Sequence, residues 1–182
     1  MRIDVKTILE KRLAESLGLD KYQYIMDHVM NTDVSKESVF QRTFNGFYIV
    51  RRNEEWRRKY YSYFESIKHT QPTFEEILTY LYKNTGNIEL SFSSKMLATI
   101  LPEKPIWDKY VVKNLNIKLV GNTKEEKLKN AISLYDEIEK WYLNYLESDD
   151  GKECIREFEQ YLPNYKWVHD IKKLDTLLWS IR

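Results

Sequence analysis

Lys95 and Asp108 are the two side chains whose type and setting suit covalent chemistry. Lys95 lies in the run Ser91-Phe-Ser-Ser-Lys95-Met-Leu-Ala-Thr-Ile-Leu-Pro102, and Asp108 ends Pro105-Ile-Trp-Asp108 directly beyond it. With successive side chains turned by about 100°, Phe92, Met96, Leu97, Ala98, Ile100 and Leu101 cover most of the circumference of a Ser91–Leu101 helix. One polar lane remains, made of Ser91, Lys95 and Thr99. A helix that is apolar nearly all round belongs in the interior, so Lys95 lines a crevice or pairs with an acid. A desolvated lysine loses some preference for its charged form, the route to an amine nucleophile at neutral pH. Lys95 and Asp108 are then a nucleophile and its partner, or a buried ion pair. Two plainer readings stand beside these: Asp108 follows Trp107 at a helix start and serves only as an N-cap, and Lys95 extends its amine to solvent.

A second constellation is electrostatic. Between Gln41 and Lys68, Arg42, Arg51, Arg52, Arg57, Arg58, Lys59 and Lys68 face only Glu54, Glu55 and Glu65, a local charge of +4. The whole chain, with 29 basic and 28 acidic side chains, is close to neutral, so an anionic partner must be held by such a patch. Arginine among tyrosine and tryptophan is the composition of a groove that neutralises phosphates and stacks bases. Trp56, Tyr60, Tyr63 and Phe64 share one helical face, however, and are assigned to the core. Arg58 and Tyr61 project from the opposite face, and Arg51 and Arg52 precede the helix. Arg51, Arg52, Arg58 and Lys59 are therefore the candidate phosphate contacts, with a solvated charged face as the alternative.

Other chemistries find no support. His28, His69 and His169 lie far apart and Cys154 is the single cysteine, so neither a metal site nor a disulfide is expected. A lone cysteine fits a reducing compartment. No Gly-rich phosphate loop exists, and Phe92, three residues before Lys95, removes the Ser-x-x-Lys nucleophile pattern. The acidic pairs Glu75-Glu76, Glu125-Glu126 and Asp149-Asp150 suit helix starts. No apolar run approaches the roughly 18 residues of a membrane span, and the start lacks a signal-peptide core. No cofactor and no membrane partner are expected, and a cytoplasmic location is.

Helices must position these groups. Apolar spacing predicts an opening helix using Val5, Ile8, Leu9 and Leu13 and ending near Gly18, a second from about Asp20, and a third from beyond Asp33 through Val39, Phe40 and Phe44, with Asn45-Gly46 interrupting the pattern. Phe47–Val50 reads as helix or connector. Asn53 caps the next helix, and Thr73-x-x-Glu76 and Thr123-x-x-Glu126 are capping boxes. Gly86 is placed as a left-handed cap. Asp108 caps a helix bearing Val111, Val112 and Leu115. A helix around Cys154–Tyr161 ends before Pro163, and a last one carries Ile171, Leu174, Leu177 and Leu178. The expected fold is all-α with nine or ten helices, one compact unit whose lobes are 69–119 and 1–68 plus 120–182, Lys95 and Asp108 lying near the crevice between them.

The order helix, short link, helix with a lysine, turn, aspartate resembles the helix-hairpin-helix DNA glycosylases. The segments "SFSSKMLATILPEKPIWDKYV" and "KKLDTLLWSI" are similar to those of a small bacterial, 8-oxoguanine-glycosylase-like branch. The resemblance covers residues 35–182 and is strongest over 90–112. It implies a two-lobed helical fold with a degenerate hairpin, since Asn87–Leu90 lacks the glycines of the usual Gly-x-Gly turn. It also implies DNA as partner and base excision on a damaged or modified base flipped from the duplex. In that chemistry Lys95 attacks the sugar C1′ to form a Schiff base, and Asp108 assists proton transfer or stabilises positive charge. A non-catalytic binding or structural protein on the same scaffold is the competing expectation.

Overall fold

The structure is a computed structural model that describes residues 2–11 and 17–181. It is all-α: among the described residues there are ten α-helices, a short 3-10 turn at Pro163–Tyr165 and no strand. The chain divides into two compact units, one of Gly18–Leu101 and the other of Met1–Leu17 with Pro102–Arg182. The middle of the chain thus forms one unit and both ends the other. The divisions fall at 17/18 and 101/102, not at 68/69 and 119/120, because the helices of 74–100 pack with those before them while 109–114 packs on the last helix.

The middle unit holds α2 (Leu19–His28), α3 (Ser38–Tyr48), α4 (Glu54–Ile67), α5 (Phe74–Thr85) and α6 (Leu90–Ile100). Its core is aromatic. Phe40, Phe44 and Tyr48 recur every four residues on α3 and are buried, and Phe44 meets Tyr60, Tyr61 and Phe64 of α4 with centroids 5.8–6.1 Å apart. That contact carries α3 through Asn45 and Gly46, where an interruption was expected. Exposed Gly46 costs about 1 kcal/mol of helix propensity, less than the burial of Tyr48 beyond it returns. The helix ends instead at Ile49, whose φ of 55° is left-handed. Tyr61, expected to point outward, is buried and donates from its hydroxyl to Asn45 Oδ1 at 2.8 Å. α4 is covered on two sides, so a one-sided apolar stripe understates its core.

The terminal unit holds α1 (Val5–Lys11), α7 (Lys109–Asn114), α8 (Lys124–Glu147), α9 (Asp149–Tyr161) and α10 (Asp170–Ser180). Leu13, expected on α1, lies outside the described residues. α10 is buried without a break from Ile171 to Leu178 and packs against α1, α7, α8 and α9. α9 starts at Asp149, earlier than its apolar spacing suggests, because Ser148 alone links it to α8 and accepts from the Gly151 amide at 3.1 Å. A Cβ on Gly151 would lie 1.9 Å from the Tyr145 carbonyl oxygen, so this junction requires glycine. Both capping boxes form, at Thr73 with Glu76 and at Thr123 with Glu126, and Gly86 closes α5 at φ 72°.

Candidate nucleic-acid interface

Lys95 and Asp108 fall in different units, each held by partners of its own. Lys95 rises from α6, where every residue from Ser93 to Ile100 is buried except Lys95 itself, which is half-buried. Its Nζ donates to the Tyr48 carbonyl at 3.0 Å. Tyr48 is the last residue of α3, so the ammonium sits at the negative end of that helix dipole and occupies a carbonyl that the helix leaves open. The Tyr48 and Phe92 rings lie 5.9 and 5.3 Å from the same nitrogen, within cation–π range.

Asp108 is the N-cap of α7, accepting from the Tyr110 amide at 2.9 Å. The turn before it is fastened to the terminal unit: Tyr135 donates its hydroxyl to the Pro105 carbonyl at 2.7 Å, and the Ile106 amide is directed to the Asp175 carboxylate.

The basic candidates separate by exposure. Arg51 and Arg58 are exposed and form no ion pair among the described residues. Arg42 is likewise exposed on α3, and Arg57 half-buried on α4. Lys59 pairs with Glu55 at 3.0 Å and also reaches the Asn84 carbonyl. Lys68, counted with the basic segment, is buried between Glu65 and the Thr32 carbonyl and adds nothing to the surface. Arg52 bridges surface and core. Its guanidinium donates to Glu89 Oε2 at 2.8 Å and lies 5.7 Å from the Trp56 centroid and 5.1 Å from that of Phe92. Phe92 thus gathers Arg52 and Lys95, two cations expected to have separate roles.

Sequence reasoning missed Glu89. It is buried, and its other oxygen accepts from Trp56 Nε1 at 3.1 Å. Its signal was a carboxylate set between Ile88 and Leu90 just before a helix read as internal. Also missed was the group around α10. Tyr142 donates to Asp175 Oδ1 at 2.6 Å, and Lys172 Nζ lies 3.6 Å from Asp175 Oδ2, all three residues being buried. Burial pulls the Lys172 amine below its usual range and pushes the Asp175 carboxyl above its own, each partly offset by the other; the charge of Asp108 acts on both. Tyr142 is held well above the usual phenol range, first by burial and then by Asp175. Lys172 and Asp175, three residues apart on one helix face, thus meet in a low-dielectric interior.

Among the described residues no group of three or more histidine, cysteine, aspartate and glutamate side chains is arranged to hold a metal ion. No described helix is long and apolar enough to cross a membrane. Comparison with protein-family models, with curated proteins and with solved structures finds no match.

Proposed function

We propose that the protein binds DNA through the basic corner of α3 and α4 in its middle unit. The observation that carries this reading is the exposure of Arg51, just before α4, and of Arg58 on it, neither in an ion pair among the described residues. Arginines left unpaired on a rigid aromatic core are ready to exchange counterions for phosphate oxygens. Trp56 and Phe92 hold the neighbouring Arg52 guanidinium.

The test is the affinity for a short duplex as salt rises. Binding weakens linearly in log–log form, and Arg51→Gln with Arg58→Gln makes the slope shallower by about 2, since each phosphate no longer neutralised removes about 0.9. Absence of binding at low salt would end the proposal.

Base excision is a finer reading of the same protein. It is supported by the resemblance over 90–112, whereas the Tyr48 carbonyl and the two rings around Lys95 favour its charged form. The neutral amine would bond to the sugar C1′ as the C1′–base bond breaks; proton loss from that nitrogen and opening of the C1′–O4′ bond, with O4′ taking up a proton, would leave an imine that borohydride reduces to a stable adduct. A covalent adduct on lesion-bearing duplexes, abolished in Lys95→Ala, is the expected result. DNA binding without an adduct leaves a binding module.

A further inference from the structure

The near-neutral total conceals a second segregation of charge, within the terminal unit. Residues 109–129 hold six lysines against Glu125 and Glu126, a charge of +4; residues 130–160 hold nine acids against three bases, a charge of −6. All six lysines, at 109, 113, 118, 124, 127 and 129, are exposed. Lys109, Lys113, Lys118, Lys127 and Lys129 form no ion pair among the described residues.

The segment is also bound to itself. Two residues beyond α7 the chain turns through left-handed Asn116 at φ 54°, and the Ile117 amide returns to the Val112 carbonyl at 2.8 Å. Further on, Asn130 Nδ2 of α8 donates to the Val120 carbonyl at 2.9 Å. Gly121, at φ 147°, lies so near α8 that a Cβ would be 2.9 Å from the Lys127 amide nitrogen. The turn is thus fastened to the end of α7 and to the first turns of α8. Glu126, already counted in the charge of +4, forms no ion pair with these lysines among the described residues; its carboxylate accepts from the Asn122 and Thr123 amides at the helix start.

We infer that this lysine surface, running along α7 and the turn into α8, is a second DNA-phosphate surface, carried by the terminal unit. The inference rests on the DNA-binding reading above and adds to it a separate set of contacts. Lysines held on a fastened turn release counterions on meeting a polyanion, and the acidic face of α8 and α9 repels the same partner, which orients its approach.

The experiment uses the whole chain and a duplex of about 20 base pairs, compared across salt concentrations. The Lys113→Gln, Lys118→Gln, Lys127→Gln variant is set against the Arg51→Gln, Arg58→Gln variant, with thermal midpoints checked against the parent protein. The expected result is a log–log salt slope shallower by about 2.7 in the lysine variant, from three phosphates of about 0.9 each. An unchanged slope and affinity there, with weakening in the arginine variant, overturns this inference and leaves the arginine surface standing. Weakening in the lysine variant alone keeps this surface and removes the other. No binding by the parent chain at low salt removes both.

Discussion

At the scale of single residues, the terminal unit concentrates its electrostatic strain in Lys172, Asp175 and Tyr142. Desolvation opposes both charges, and their attraction repays it only through good geometry and full hydrogen bonding. Replacing Lys172 by Met or Asp175 by Leu alone is expected to cost about 3–5 kcal/mol, because each leaves a buried charge unmatched. Replacing both together with Tyr142→Phe is expected to be neutral or stabilising; urea unfolding of the four proteins measures the difference. Cys154 and Tyr145 give a pH-dependent case. Burial pushes the thiol up to about 12 from 9.0 and the phenol up to about 12 from 10.0. Both groups are protonated in folded and unfolded chains below pH 9, so neither affects stability there. Between pH 9 and 12 the unfolded chain loses these protons while the folded chain keeps them, so stability falls as pH rises. Unfolding midpoints measured across that window should decline, and Cys154→Ala should flatten the decline near its lower end.

At the scale of helices, most boundaries follow from contacts spanning three or four residues. The Thr73 and Thr123 boxes, the Asn53 cap on the Trp56 amide and the Asp108 cap on the Tyr110 amide are all of this kind. The α8–α9 junction differs, since it turns on a steric requirement. Gly151 sits in the first turn of α9 against the last carbonyls of α8, and any Cβ there collides with Tyr145 oxygen. Gly151→Ala is therefore expected to destabilise the protein despite alanine's higher helix propensity, by about 1–3 kcal/mol for an overpacked site. A thermal midpoint equal to or above the parent value would refute that. α6 shows the converse: a helix buried nearly all round keeps one half-exposed cation, which closes the carboxyl end of α3.

At the scale of the whole molecule, a formal charge of +1 describes nothing that a partner meets. The chain carries +4 over 41–68, +4 over 109–129 and −6 over 130–160. Each unit therefore has its own basic stretch, Lys68 of the first being buried, and the acidic stretch belongs to α8 and α9. Such segregation makes any binding of a charged partner to these stretches dependent on salt.

Sequence alone determined the all-α class, the capping boxes, the glycine stop at Gly86 and the interior character of α6. Those features are settled by periodicity and by hydrogen bonds between near neighbours. It also marked Arg51, Arg52 and Arg58 as surface cations, two of which have no ion-pair partner among the described residues. Tertiary structure decided what those local rules leave open: that Tyr61 turns inward to Asn45, that α3 continues past Gly46, and that Arg52 finds Glu89 across 37 residues. It decided too that Lys95 closes a helix end while Lys172 is buried beside Asp175. The reason is physical. A cap needs only the chain's own next turn, whereas the partner of a desolvated charge is chosen by whichever distant helix packs over it.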